Sequence, residues 1–187
     1  MRKGIFVILL LSFAFLGGVG SVSALEPYGQ FDILVNRPLH LGAGNLESEF
    51  GNDYEEANEF LRKYPIIIPD LRGHLFMDAG PTRLGIGARG FSAILETVLW
   101  PTLTAEVDLG PVRLTGSFGG GMFGFIGLYN DIHTGRIWLP ELTAAYMFND
   151  WFHIGLSGTG VYLPEASSDS LGFVGSIFAR FSIGGRD

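Results

Sequence analysis

The chain contains no cysteine, so neither a disulfide nor a lipid-modified N-terminal cysteine contributes to its structure. Lysine is nearly absent as well, and after residue 24 only Lys63 remains. Beyond the same point, no apolar run approaches the ~20 residues that a membrane-spanning helix requires. These absences exclude a disulfide-held scaffold, a lipoprotein anchored through cysteine and a bundle of membrane helices.

The N-terminal segment has the three parts of a secretory signal peptide. Arg2 and Lys3 give a positive start, an apolar run covers residues 5–16, and small residues follow as far as V-S-A at 22–24. We expect cleavage after this V-S-A motif. A retained membrane anchor is the alternative, because the apolar run becomes long enough if its glycines are counted.

Removal of a signal peptide at 1–24 would leave one acidic domain at 25–187. The 12 basic residues of the whole chain then fall to 10, against 19 acidic residues, and the net charge becomes −9. Nucleic acid is therefore not an expected partner, because phosphate binding needs a basic face. Apolar residues make up 47% of the whole chain yet are spread evenly, as in a β-barrel where only every second residue of a strand contacts lipid.

Apolar and polar residues alternate with a period of two along most of this domain. Near the C-terminus, apolar and small side chains occupy every second position from Leu171 to Ile183, and Arg180 and Ser182 lie between them. A strand separates two such sets onto opposite faces, whereas a helix would mix them. The pattern predicts eight strands, at 28–41, 70–78, 82–94, 98–109, 112–127, 137–148, 151–163 and 171–183.

Short and longer connections alternate between these predicted strands. Tight turns are predicted at 78–81, 108–111 and 148–151. The remaining connections are predicted at 42–69, 95–97, 128–136 and 164–170, of which 95–97 is brief. Transmembrane barrels show this asymmetry, with short periplasmic turns and longer external loops. The predicted fold is an all-β, antiparallel up-and-down transmembrane barrel.

A short internal repeat marks two of the tight turns. The pattern D-x-G-P-x-R-L occurs at 78–84 and again at 108–114, a spacing of one hairpin unit. Gly-Pro suits turn geometry. We expect the Asp and Arg of each copy to face each other across the base of a hairpin, where opposite charges attract.

The first long connection contains a predicted amphipathic helix at 52–64. Asn52 or Asp53 can cap its start, and Pro65 ends it. Its apolar stripe consists of Tyr54, Ala57, Phe60, Leu61 and Tyr64. Two interpretations stay open: the stripe packs on the rim of the barrel, or it contacts an external ligand or partner.

If the apolar face of each strand contacts lipid, the other face carries nearly all the strand charges. Arg37 is the exception, on the lipid side. An eight-stranded lumen is only just wide enough to be filled by side chains, and unpaired charges there are costly. We interpret the charges as a packed ionic network, with a polar conduit for solute as the alternative. The acids are Asp32, Asp78, Glu106, Asp108 and Glu141; the bases are Arg72, Arg83, Arg89, Arg113 and Arg180; His74 and His153 accompany them.

Aromatic residues gather near the predicted ends of several strands. Those near one tight turn are Tyr146, Phe148 and Phe152; those near the longer loops are Trp138 and Tyr162. Such girdles are typical of membrane interfaces. Trp100 and Trp151 instead fall on the lumen side of the predicted alternation.

With its signal, eight alternating segments, three tight turns and terminal strand S-I-F-A-R-F-S-I, the chain resembles the small outer-membrane barrels of the OmpA, OmpX and OmpW type. The resemblance extends over 25–187. It implies an integral outer-membrane location, outer-membrane lipids as partners and insertion by the barrel-assembly machinery. Members usually end in an aromatic residue, whereas here Phe181 and Ile183 are followed by G-G-R-D.

The leading function is therefore a structural or surface-interaction role for an integral outer-membrane barrel. An OmpW-like role would instead imply passage or capture of a small, apolar solute. A lipid-modifying enzyme is a further alternative, and it needs a serine within hydrogen-bond reach of a histidine. His153 and Ser157 share a strand face but lie about 13 Å apart, whereas Ser176 on a neighbouring strand could approach His153.

Nothing else in the chain indicates chemistry. Its histidines (His40, His74, His133 and His153) lack the spacing of metal ligands. We expect no catalytic residue, no metal site and no cofactor, and thus a protein that is not an enzyme.

Overall fold

A computed structural model describes residues 26–43, 52–93, 95–128, 130–164 and 170–185. The predicted signal peptide and its cleavage site lie outside these residues, as do the side chains of the predicted helix cap. The described elements are β1 (Tyr28–Ala43), α1 (Asn52–Lys63), β2 (Ile68–Ala79), β3 (Thr82–Ala93), β4 (Glu96–Leu109), β5 (Val112–Gly127), β6 (Asp131–Met147), β7 (Phe152–Leu163) and β8 (Ser170–Gly184).

The strands form one closed barrel in chain order. Each strand pairs antiparallel with the next, and β8 returns to pair with β1. The predicted all-β, up-and-down barrel of eight strands is confirmed, and so is the short helix between the first two strands. Closure leaves each strand with a partner on both sides, which satisfies backbone groups that could not otherwise be placed in lipid.

The start of β6 is where the strand prediction was wrong. A loop was predicted at 128–136, but β6 already begins at Asp131. The register against β5 shifts there, with Gly120 opposite Trp138 and Met122 opposite Thr134, so β6 has extra residues within this interval. A bulge of this kind interrupts the two-residue period on which the prediction depended.

Both copies of the D-x-G-P-x-R-L repeat form hairpin turns. Asp78 lies opposite Arg83, and Asp108 lies opposite Arg113, as predicted. The Arg113 side chain donates two hydrogen bonds to the Asp108 carboxylate, at 2.6 and 2.9 Å. The glycine of each copy has a φ near +65°, a conformation that residues with a Cβ rarely adopt.

Burial alternates along the strands with the predicted parity. Outward side chains are exposed, as with Leu142 at 67% and Leu156 at 60%, whereas the lumenal carboxylates Asp32 and Glu106 are each 1% exposed. The interior has few apolar residues, and three of them touch one another: Leu34, Ala145 and Phe178. The barrel is therefore apolar outside and polar inside.

An aromatic cluster surrounds the tight turn between β6 and β7. Trp100 lies buried in the lumen as its parity predicted, but the same prediction for Trp151 was wrong. Trp151 precedes β7, is 56% exposed and stacks on Phe181 with ring centroids 6.2 Å apart. Alternation does not continue through a turn, which explains the error. The cluster also includes Tyr146, Phe148 and Phe152.

Helix α1 packs against the end of β1. Along the described part of β1, pairing with β2 reaches only Asn36, which lies opposite Ile68. Beyond Asn36, the buried side chain of Asn58 on α1 forms hydrogen bonds with the β1 backbone at Leu41. Its Oδ1 accepts from the Leu41 amide at 2.8 Å and its Nδ2 donates to the Leu41 carbonyl at 3.0 Å. The helix thus covers an open strand edge through Asn58, which is not part of the predicted apolar stripe.

Within the part of the chain that the structure describes, no helix has the length and apolar character needed to cross a membrane.

Candidate functional site: the charged lumen

The lumenal charges fall into two groups at different heights of the barrel. The loop-end layer consists of Asp70, Arg72, Arg89 and Glu141, and the turn-end layer consists of Asp32, Arg83, Glu106, Asp108, Arg113 and Arg180. Each layer holds equal numbers of acids and bases and is neutral as a whole. Both layers arise because residues two apart on a strand share its inner face.

In the loop-end layer, carboxylates and guanidinium groups alternate. Arg72 and Arg89 lie opposite each other on neighbouring strands, and their like charges are separated by the two acids. Asp70 accepts from Arg72 at 2.7 Å and from Arg89 at 2.8 Å. Glu141, from the far side of the lumen, forms an ion pair with Arg72 at 2.9 Å and accepts a hydrogen bond from Arg89. The layer therefore spans the barrel from β2 and β3 to β6.

Neutral side chains complete the bonding of this layer. Thr159 donates to Glu141 at 3.0 Å, and Asn36 donates to Asp70 at 3.3 Å. The guanidinium of Arg89 also lies over the ring of Trp100, 5.6 Å from its centroid. A buried carboxylate needs several partners to compensate for lost hydration, and each acid here has at least three when ion pairs are counted with hydrogen bonds.

Asp70 is the member of the network that sequence reasoning missed. It lies two residues before Arg72 on the same strand face. The alternation that predicted a lumenal side chain for Arg72 therefore predicts one for Asp70 as well. It was passed over because it stood at the predicted start of β2, after Pro69. The observed strand begins at Ile68, which places Asp70 within the barrel wall.

In the turn-end layer, Arg180 joins three strands. One guanidinium nitrogen donates to Asp32 on β1 and the other to Glu106 on β4, each at 2.8 Å. Glu106 also accepts from Arg83 at 2.7 Å and from the Thr115 hydroxyl at 3.2 Å. Glu106 is therefore the carboxylate on which this layer converges.

The remaining acids of the turn-end side lie close to water. The side chain of Asp108 is 40% exposed and pairs with Arg113. Asp78 accepts a hydrogen bond from the Tyr28 hydroxyl at 3.1 Å. Both acids lie at the mouth formed by the tight turns, and Asp78 lies outside the neutral layer defined above.

A small apolar cluster lies among the polar side chains between the two charged layers. Leu34 lies between Asp32 and Asn36 on the inner face of β1, and it contacts Phe178 and Ala145. Phe178 precedes Arg180 by two residues on β8. A solute passing along the axis would have to part both ionic layers and cross this apolar contact.

Neither lumenal histidine is paired with Ser176, the serine considered as a nucleophile. His74 shares a hydrogen bond of 3.0 Å with the Thr104 hydroxyl. His153 is fully buried, and neither ring nitrogen has a hydrogen-bond partner among the described residues. The suggestion that Ser176 could approach His153 was wrong, because Ser176 lies opposite Ser157 and Arg180 lies opposite His153. Four strand residues, about 13 Å, separate the two positions.

Across the described ranges, no three histidine, aspartate or glutamate side chains are grouped so as to hold a metal ion.

Comparison with known proteins yields similarity at the level of solved structures. No protein-family description and no curated protein sequence matches the chain. Neisserial surface protein A (NspA) is 9% identical, with 83% of this chain and 96% of that chain covered and a TM-score of 0.42. The N-terminal β-barrel domain of Pseudomonas aeruginosa OprF is also 9% identical, with 83% and 97% covered and a TM-score of 0.43.

Proposed function

We propose that this chain is an integral outer-membrane β-barrel with a structural or surface-interaction role, and that paired charges close its lumen. The proposal rests on the distribution of side chains, which is the reverse of that in a water-soluble protein. Large apolar residues are exposed around the outer wall while ion pairs are buried inside. In water such a wall would lose the stabilisation that burial of apolar surface gives, whereas in lipid the same wall is solvated and the polar interior stays separate.

The aromatic cluster at the turn between β6 and β7 supports the same environment. Tyr146, Phe148 and Trp151 are each at least half exposed, and their rings lie at one end of the apolar wall. Aromatic side chains prefer the membrane interface because one part of the ring system is apolar and the other is polar. Outer-membrane lipids are then the immediate partners, and the barrel-assembly machinery is the partner during insertion.

A closed lumen is proposed because the two ionic layers leave no charge without a partner. All five lumenal arginines contact carboxylates. Opening a polar route would require removing charges from their partners in a poorly hydrated interior, which is costly. The barrel then acts through its stability and its external surface rather than by conducting solute.

Fractionation of cells expressing the full chain tests the membrane location. We expect a product that begins at Leu25, sediments with the outer membrane and migrates differently on gels before and after boiling, because closed barrels resist unfolding. A variant lacking residues 1–24 is the matched control and should stay in the cytoplasm. Recovery of the processed chain as a soluble periplasmic protein would contradict the proposal.

Conductance across planar bilayers tests whether the lumen is closed. The folded barrel should give no sustained current, because the two ionic layers and the apolar cluster between them fill the axis. Stable conductance would favour the solute-channel alternative. Hydrolysis of a lipid ester that disappears in His153→Gln would favour the enzyme alternative.

A further inference from the structure

Cations outside the lumen are few and unevenly placed. In the ranges that the structure describes they are Arg37, Arg62, Lys63 and Arg136. Three of the four lie on the elements that form the junction of β1, α1 and β2. Arg37 lies on β1, one residue beyond the last pair with β2, and Arg62 and Lys63 end α1, immediately before the segment that leads back into β2.

These three rim cations differ from the lumenal arginines in having no carboxylate partner among the described residues. Between residues that the structure describes, one hydrogen bond is made by a side chain of this group, from Arg62 Nε to the Asn58 carbonyl at 3.2 Å. Lys63 lies over the Tyr64 ring, with Nζ 5.7 Å from its centroid. Glu59, one turn earlier on the helix, forms a salt bridge with neither Arg62 nor Lys63. The side chains of all three cations are exposed.

Exposed apolar side chains lie beside the cations. Phe60 and Tyr64 are about half exposed, and their ring centroids are 4.9 Å apart. Ile67 precedes β2 on its outward parity and is 61% exposed. The two hydrogen bonds between Asn58 and Leu41 hold the helix at this height of the wall. Aromatic rings combined with unpaired cations are typical of segments that lie in a membrane interface.

We infer that this rim site, formed by Arg37, Arg62 and Lys63 with Phe60, Tyr64 and Ile67, binds the phosphate groups of an anionic lipid in the leaflet at the loop end of the barrel. The inference rests on the membrane location proposed above. Guanidinium and ammonium groups form charge-assisted hydrogen bonds with phosphate oxygens. The apolar side chains face the upper acyl region, so the site takes a lipid headgroup together with the start of its chains.

Binding of diphosphorylated lipid A to the folded barrel in neutral detergent micelles tests the site. A cation near an anionic membrane surface contributes about fivefold to affinity. The triple variant Arg37→Gln/Arg62→Gln/Lys63→Gln should therefore bind about 100-fold more weakly and show a smaller dependence on salt. Arg136→Gln removes a cation elsewhere on the surface and should leave the affinity unchanged.

Two further measurements identify the ligand. Dephosphorylated lipid A should bind weakly to the wild type, and inorganic phosphate should not compete at comparable concentrations. Phe60→Ser/Tyr64→Ser should weaken binding while retaining the salt dependence, because the cations stay in place.

Three results would overturn the inference: equal affinity of the triple variant and the wild type, equal binding of the dephosphorylated lipid, or effective competition by inorganic phosphate. Each variant is first checked for heat-modifiable migration in the same micelles. A wild-type chain that does not fold there contradicts the membrane barrel itself. A folded wild type without phosphate-dependent binding contradicts the rim site alone.

Discussion

Arg180 on β8 donates a hydrogen bond of 2.8 Å to Asp32 on β1, so an ion pair lies across the seam where the last strand meets the first. The two residues are not directly opposite in the ladder, because Arg180 faces Leu34 and Asp32 faces Ser182. They meet diagonally on the inner face, within reach of a long side chain. Strand parity predicted that both side chains face the lumen, and their ion pair agrees with that prediction.

Removing Arg180 should destabilise the barrel more than removing Asp32. Arg180→Ala leaves both Asp32 and Glu106 without this partner, and we expect a loss of roughly 3–5 kcal/mol in the free energy of unfolding. Asp32→Ala leaves Arg180 still paired with Glu106 and should cost less. The double variant should cost less than the sum of the two, as measured by urea unfolding in micelles.

An exposed aspartate–histidine contact supplies the control for this cycle. Asp131 lies 3.4 Å from His133, and both side chains are about two-thirds exposed. Asp131→Ala should change the free energy of unfolding by less than about 1 kcal/mol. Strictly additive effects of the Arg180 and Asp32 changes would show that the seam pair has no coupling.

Gly110→Ala should destabilise the second hairpin through backbone strain alone. Gly110 has a φ of 63°, and a Cβ there would meet no atom within 4 Å. We expect a loss of about 1–2 kcal/mol from placing an alanine in the left-handed region, again from urea unfolding. Gly110→Asn should be milder, since asparagine tolerates this conformation better.

The matched control is Gly116→Ala, on the following strand. A Cβ at Gly116 also meets nothing within 4 Å, and its φ is not positive. The free energy of unfolding of Gly116→Ala should stay the same or rise slightly, because alanine reduces the conformational entropy of the unfolded chain. Equal losses at positions 110 and 116 would argue against strain as the cause.

Asn58→Ala should release α1 without unfolding the barrel. The Leu41 amide loses its acceptor and the Leu41 carbonyl its donor, at about 1 kcal/mol for each hydrogen bond. Hydrogen exchange at Leu41 should rise several-fold, while the urea midpoint of the barrel stays near the wild-type value. Asn58→Asp keeps only the acceptor, so its hydrogen exchange at Leu41 should lie between those of the wild type and Asn58→Ala. As a control, Glu59→Ala on the exposed side of the helix should change neither the hydrogen exchange at Leu41 nor the urea midpoint. Unaltered exchange at Leu41 in Asn58→Ala would mean that other contacts hold the helix.

The two ends of the barrel should differ in accessibility on intact cells. The connection around Asn52 is long and acidic, whereas Gly80 and Gly110 lie in tight turns. An epitope inserted near Asn52 should be labelled from outside, and epitopes at Gly80 or Gly110 should be labelled only after the outer membrane is permeabilised. Equal labelling at all three positions would contradict the assigned orientation.

Most of the fold could be predicted from the alternation of apolar and polar residues, because successive residues of a strand face the outer wall and the lumen in turn. This alternation located every strand end within two residues except the start of β6. There Gly135 and Arg136 lie within the interval of the register shift, and no alternation marks a bulge in advance. Trp151 was misplaced for a related reason, since a residue in a turn belongs to neither face.

The partners within the lumen could be inferred only in part. Parity identified which charges point inward, but the pairing of Arg72 and Arg89 with Glu141 joins strands that are far apart in the barrel order. Such contacts depend on the register of every intervening pair of strands, and a slip of one residue exchanges the two faces. The anchoring role of Asn58 likewise depends on where β2 begins, which sequence alone left two residues late.

The ties that cross the lumen have a consequence for the order of assembly. Glu141 on β6 reaches back to arginines on β2 and β3, and Arg180 on β8 reaches Glu106 on β4. None of these bonds can form while the sheet is still open, because their donors and acceptors come together only when the sheet curls through most of a circle. Until then the charges need water, so the membrane insertion proposed above requires the inner face of the open sheet to stay hydrated. The turn-end layer is complete only when Arg180 on β8 is in place, so an intact turn-end layer indicates that the last strand has paired.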